Sequence, residues 1–354
     1  MTSFTDSFCW RPFTDIVFAG NFYKPCCYYT KNLVYKSFDE VNKEIRNDIK
    51  ENRWNSGCDV CRKTELDGNT NSHRFNYKGT KNANLFEQNK FELTNLEIKV
   101  DNNCNIACIT CGSHSSSRWS VENKKMYNVN DSTQHSVNLE NLFNSNLWNN
   151  VKTLTLYGGE PLYSKRVYKI LRYAVENQFS KNIHLEFYTN GTVLDTEIIS
   201  LLQNFKQVSI GFSIDATYGR FNIIRWPAKW DEVVKNYNKI KKLSNVDTYK
   251  IYTYSLLNAC FTKNDLRILD ETMVGYTVPN LLINPSYYAA RHLPYDVKQK
   301  LLEEIYNIPN FASLHSELLQ DGDESQLMNA LTKLKHLDSF RNTDSSILFT
   351  SNVW

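Results

Sequence analysis

Cysteine is the residue type best placed to do chemistry in this chain of 354 residues, which has nine of them. Cys104, Cys108 and Cys111 stand at C-x3-C-x2-C spacing within the run from Asp101 to Gly112, directly after the strand-like Leu96-Glu97-Ile98-Lys99-Val100. Four thiolates are the usual complement of a [4Fe–4S] cluster. A tight group of only three leaves one iron without a protein ligand, and an open coordination position is where outside chemistry occurs. A structural zinc site competes with this reading, but zinc favours four ligands and paired C-x2-C knuckles.

Further along, Val151-Lys152-Thr153-Leu154-Thr155-Leu156-Tyr157 alternates with the period of a strand and runs into Gly158-Gly159-Glu160-Pro161-Leu162. Two glycines at a strand end let the backbone approach a ligand closely and adopt φ > 0. A carboxylate beside them can accept hydrogen bonds from an ammonium group. The cysteine loop and this Gly-Gly-Glu strand end together resemble the radical S-adenosylmethionine (radical SAM) enzymes. The resemblance implies that the fourth iron takes the amino and carboxylate groups of SAM, with Gly158, Gly159 and Glu160 at the amino group. It also implies reductive cleavage of SAM to methionine and a 5′-deoxyadenosyl radical, which abstracts hydrogen from an unactivated C–H bond.

Other strand ends fit the same plan. Asn190, in Tyr188-Thr189-Asn190-Gly191, carries an amide suited to a ribose or carboxylate, or simply forms an Asn-Gly turn. Ser213-Ile214-Asp215 looks like the family's Ser-Ile-Asp, which implies positions near SAM for Ser213 and Asp215; an Asp there could instead cap the next helix. Asn258 is a further candidate for SAM contact. In Gly112-Ser113-His114-Ser115-Ser116-Ser117-Arg118-Trp119, His114 is a candidate to face SAM or substrate. The serines there could equally cap a helix, with Arg118 solvated and Trp119 in the core. Cys260 is the only ungrouped thiol: it is either a hydrogen donor that quenches a substrate radical or a small buried residue.

The first sixty-one residues hold Cys9, the adjacent Cys26-Cys27, and Cys58-Asp59-Val60-Cys61 behind Gly57. Cys9, Cys58, Cys61 and one of Cys26 or Cys27 would complete an all-thiolate site. Cys26 is preferred because adjacent thiolates seldom both reach one cluster. The stretches Phe8-Cys9-Trp10-Arg11-Pro12-Phe13 and Gly20-Asn21-Phe22-Tyr23-Lys24-Pro25-Cys26-Cys27 resemble the start of SPASM and twitch domains, most closely in radical SAM proteins that carry the module N-terminally. That resemblance implies an auxiliary [4Fe–4S] cluster, with a four-cysteine zinc knuckle as the open alternative.

Positioning these groups requires alternating elements. Strand-like runs occur at Leu96–Val100, Val151–Tyr157, Ile183–Tyr188, Gln207–Ile214, Thr248–Leu256 and Leu281–Ile283. Helix-like runs lie between them at Lys165–Glu176, Asp195–Asn204, Trp230–Lys242 and Lys263–Thr272, the last with Thr262 as N-cap. The alternation predicts an α/β fold with a parallel sheet. Six such units resemble the partial (β/α)6, TIM-like barrel of radical SAM enzymes, with the site at its C-terminal mouth. The expected domains are a small cysteine-rich twitch/SPASM-like module at 1–90, the barrel at 91–293, and a helical C-terminal cap at 294–354 with a polar break at Asp321–Ser325.

Composition bounds the partners. With 41 basic and 38 acidic residues, the net charge of +3 gives no argument for nucleic acid or an acidic membrane surface. No apolar run spans a membrane, and Met1–Asp6 lacks the basic-then-apolar pattern of a secretory signal. The expected location is therefore cytoplasmic, where clustered cysteines bind metal more often than they pair. The expected partners are SAM, a one-electron reductant such as flavodoxin or ferredoxin, and a peptide or protein substrate that is oxidised, crosslinked or epimerised. A small polyol or nucleoside-like substrate is the alternative, and a non-catalytic metal-binding module the reading from outside enzymology.

Overall fold

The computed structural model describes residues 7–20, 22–31, 38–66, 72–75, 77, 79, 81–131, 136–143, 146–306, 311–350 and 353. Met1–Asp6 and Asn21, which entered the sequence reading, lie outside them. Chain contacts divide the protein into two units: residues 1–101, 134–187 and 200–208, and residues 102–133, 188–199 and 209–354.

The first unit is built on strands. β1 (Asp15–Ala19) and β2 (Phe22–Lys24) form an antiparallel hairpin. β1 then pairs in parallel with β3 (Asn95–Lys99), β3 with β4 (Thr153–Tyr157), and β4 with β5 (His184–Thr189). The register sets buried side chains in two rows across the strands: Ile16, Leu96, Leu154, Leu185, and Phe18, Ile98, Leu156, Phe187. Helix Lys165–Glu176 buries Val167, Ile170, Leu171 and Ala174, at the spacing of one helical face. Between those rows, the register row Val17, Glu97, Thr155, Glu186 is mostly polar.

The N-terminal segment joins the sheet of the first unit. Asp15–Ala19 is a strand buried along most of its length, and its backbone groups need a ladder partner. They find one in β3, so the N-terminal segment contributes two strands that the sequence reading did not contain.

The second unit takes β6 (Gln207–Ser213) from residue 209 on, then β7 (Val246–Tyr254) and β8 (Thr277–Leu281). β7 and β8 pair in parallel, and the Ile214 amide just past β6 donates to the Ile251 carbonyl of β7 at 2.8 Å. Helix Trp230–Ile240 buries Trp230, Val233, Tyr237 and Ile240. Thr262 lies inside helix Thr262–Thr272 rather than capping it, its hydroxyl bonded back to the Asn258 carbonyl at 3.5 Å. Helices Tyr295–Ile305, Ala312–Leu318 and Glu324–Arg341 follow, and Asp323 caps the last by accepting the Ser325 amide at 2.8 Å. The architecture is mostly parallel α/β with eight strands among the described residues. No helix among them is long and apolar enough to cross a membrane.

Candidate metal centres

In the second unit, Cys104, Cys108 and Cys111 lie on the loop before helix Ser117–Tyr127. The helix start grips that loop at several points. Ser116 is the N-cap: its hydroxyl accepts the Trp119 amide at 3.3 Å and donates to the Ile106 carbonyl at 2.7 Å. Ser117 accepts the Cys104 amide at 3.1 Å, and the Trp119 indole N–H donates to the Cys108 carbonyl at 2.8 Å. The serines cap and Trp119 is buried, so the structural reading holds for both. Arg118 keeps 42% of its side chain exposed, 3.6 Å from Glu122. His114 is exposed, its ring against Gly112.

Two side chains point donors at the sulfurs. The Asn190 amide lies 4.0 Å from Cys104 Sγ and donates to Asn105 Oδ1 at 3.0 Å, while its oxygen accepts the Thr192 amide at 2.9 Å. Asn190 is thus both the Asn-Gly turn residue and a neighbour of the cysteine loop. Arg225, absent from the sequence reading, sends one guanidinium nitrogen to Cys108 Sγ at 3.8 Å and another to Asp215 Oδ2 at 2.8 Å. Burial lifts the Cys108 thiol well above its ordinary range, the Arg225 charge pulls against that lift, and the neighbouring thiols add to it. Ser213 ends β6, half-buried. Asn258 is fully buried and turns its amide on backbone: it donates to the carbonyls of Asp215 (2.6 Å) and Thr253 (2.8 Å) and accepts the Ser255 amide (2.9 Å). It clamps strand ends and has no described donor left for a ligand. Cys260 is half-buried; its thiol is raised chiefly by burial, against hydrogen bonds from Thr350, with Glu304 nearby. Its neighbours belong to the C-terminal elements.

In the first unit, Gly158 explains itself sterically. Its φ is +151°, and a Cβ there would fall 2.2 Å from the Asp101 carbonyl oxygen. That same oxygen accepts the Gly159 amide at 2.9 Å, and Ser164 Oγ donates to the Asp101 carboxylate at 2.6 Å. Glu160 is 1% exposed and accepts the Leu162 amide at 3.0 Å. The glycine pair therefore permits close approach of backbone to backbone, and a buried carboxylate follows it.

Also in the first unit, Cys9, Cys26, Cys58 and Cys61 line a single pocket, with Arg11, His73 and Arg74 also on its wall. Cys9, Cys26 and Cys58 pack against an apolar cluster of Phe13, Tyr29, Ile45, Ile49 and Leu85. Gly57 makes room for this, since a Cβ there would overlap the Tyr29 ring. Burial pushes Cys9 up to about 11 and Cys58 up to about 12, and Cys26 well above its usual value, with neighbouring thiols adding to each. Cys27 is exposed, its Sγ 3.4 Å from His73 Nε2. Among the described residues no three His, Cys, Asp or Glu side chains gather as they would around one bound ion.

An uncharacterised protein of Methanocaldococcus jannaschii is 25% identical to this chain over 235 residues, covering 64% of this chain and 70% of the relative. Among solved structures, anSMEcpe with bound AdoMet aligns at 16% identity and a TM-score of 0.46, covering 63% of this chain and 60% of that one. Streptococcus suis SuiB bound to its precursor peptide SuiA aligns at 12% identity and a TM-score of 0.41, covering 86% and 61%. The chain thus spans about 60% of the length of these two structures. The family model of the radical SAM superfamily matches residues 98–256, a span that holds the cysteine triad, Gly158–Glu160, Asn190, Ser213 and Asp215, so that this stretch is matched as a radical SAM domain.

Proposed function

We propose that this protein is a radical SAM enzyme whose cluster is held by Cys104, Cys108 and Cys111. The observation that carries the reading is the donor set of the second unit: three thiols on one anchored loop, with an asparagine amide at Cys104 and a buried guanidinium at Cys108. Three thiolates and donors directed at sulfur fit a [4Fe–4S] cluster with one open iron. When bound, that cluster and SAM supply reductive C–S cleavage and hydrogen abstraction from a C–H bond. The chain's own residues do the rest. Ser116, Ser117 and Trp119 fix the loop, Asn190 and Arg225 direct N–H groups at sulfur, and Asp215 and Asn258 tie strand ends beneath. On sequence resemblance, Gly158, Gly159 and Glu160 are the residues this reading gives to the SAM amino group and Ser213 a residue near SAM, and the mostly parallel strands suit a partial (β/α)6 barrel.

Cys9, Cys26, Cys58 and Cys61 are the ligands of an auxiliary [4Fe–4S] cluster in this reading. Four sulfurs around one pocket support it, and Cys27, turned to His73, is the spare thiol. The substrate we favour is a peptide or protein, because the N-terminal cysteine pattern resembles twitch and SPASM modules.

The test is anaerobic reconstitution with iron and sulfide, then dithionite and SAM, with 5′-deoxyadenosine as the readout. The protein should form deoxyadenosine. A variant with Cys104, Cys108 and Cys111 all changed to Ala should form none yet retain about four irons, one cluster's worth. Zinc in place of iron, or no SAM cleavage by fully iron-loaded protein, would instead favour a metal-binding module.

A further inference from the structure

Arg225 is the least expected member of the triad's surroundings. Segment 224–226 lies against segment 107–109: the Ala107 amide donates to the Trp226 carbonyl at 2.7 Å, and the Ile109 amide to the Ile224 carbonyl at 2.8 Å. These two bonds bracket Cys108 on one side and Arg225 on the other, fixing where the guanidinium can reach. Arg225 follows helix Tyr218–Ile224 and is 8% exposed. One terminal nitrogen meets Cys108 Sγ at 3.8 Å and the other meets Asp215 Oδ2 at 2.8 Å. Its Nε is buried and has no hydrogen-bond partner among the described residues, a donor still to be satisfied.

We infer that Arg225 is a positioning residue that sets the charge balance of the three-thiolate site, with Asp215 as its counterweight. The inference rests on the radical SAM reading. A cluster's reduction potential depends on its net charge and on hydrogen bonds to its sulfurs. A guanidinium beside Cys108 favours the more negative, reduced state, and a carboxylate bonded to that guanidinium offsets part of the effect. A guanidinium keeps its proton throughout the working pH range, and the Asp215 carboxylate at 2.8 Å pairs it directly. The two residues therefore act on the potential in opposite directions.

The experiment uses full-length reconstituted protein, wild type, R225Q, R225K and D215N, with iron content measured first. Reductive titration is then followed by electron paramagnetic resonance on the signal that SAM perturbs, which separates the triad's cluster from any other. R225Q should shift the midpoint potential down and D215N should shift it up. R225K, which keeps the charge but not the fork of donors, should fall between R225Q and wild type. Iron-loaded R225Q and D215N with unchanged potentials, or with shifts of the same sign, would overturn the inference while leaving the enzyme reading intact. If R225Q does not fold, D215N decides alone: an upward shift supports the balance and no shift refutes it. A wild-type protein whose signal ignores SAM would sink the enzyme reading and this inference together.

Discussion

His73 shows how one side chain at the N-terminal pocket makes stability depend on pH. Its ring stands edge-on to Tyr28 with centroids 4.5 Å apart, and burial followed by the Arg11 charge lowers its pKa from 6.5 to about 4. Between those values the unfolded chain binds a proton that the folded ring refuses. The associated stability is complete above pH 6.5 and is lost as pH falls through 4. Asp15 acts the other way. Burial lifts its carboxyl from 3.8 to about 6 despite Arg11, Asn95 and Tyr77, so its contribution is complete at low pH and is lost as pH rises through 6. Over pH 7 to 5 the two oppose each other in metal-free protein. H73Q should remove the histidine's part, leaving the variant relatively more stable at pH 5 than at pH 7, by about 1 kcal/mol against wild type after allowance for the ring's exposed edge. Urea unfolding of apo protein at both pH values measures this, and an identical pH response in the variant would refute it.

Helix Ser117–Tyr127 is the element on which the cysteine loop depends. Replacing Ser116 by Ala removes both its cap and the bond to the Ile106 carbonyl, at a cost of about 1–2 kcal/mol. Iron retained at the triad under chelator challenge should fall with it, whereas a Ser120→Ala control in the same helix should retain wild-type iron. The cap was legible beforehand, since serines precede a Trp-containing run, and so were elements whose own pattern decides them. Helix Lys165–Glu176 lies where its periodicity puts it, and β4 where alternation does. β1 was hidden because a four-residue apolar run says nothing of a partner eighty residues away, yet Asp15 pairs with Asn95. β8 forms at Thr277–Leu281, earlier than Leu281–Ile283, with Pro279 inside it. Proline argues against an interior strand but is tolerated on an edge strand, a distinction that only tertiary pairing supplies. Arg225 was invisible for the same reason: 117 residues separate it from Cys108.

At the scale of the whole chain, the family match ends at residue 256, yet the cysteine loop is also held from far beyond it. Arg341, at the end of helix Glu324–Arg341, bonds Glu122 Oε2 at 2.7 Å and the Ala107 carbonyl at 2.9 Å, and lies 4.9 Å over the Trp119 ring. Its side chain is 2% exposed and that of Glu122 7%. Removing one member of a buried pair strands the other's charge, which costs about 3–5 kcal/mol, whereas replacing both with apolar groups costs much less. R341L and E122L should each lower the urea midpoint strongly, and the double variant should recover most of the loss. Recovery should stop short of wild type because the Ala107 carbonyl has lost its donor, an effect of about 1–2 kcal/mol. The same carbonyl lies one residue before Cys108, so the double variant should also load less iron at the triad than its restored stability would suggest. Additive single losses would show that the pair is not coupled. Full iron loading in the double variant would show that the C-terminal helix supports the fold without supporting the site.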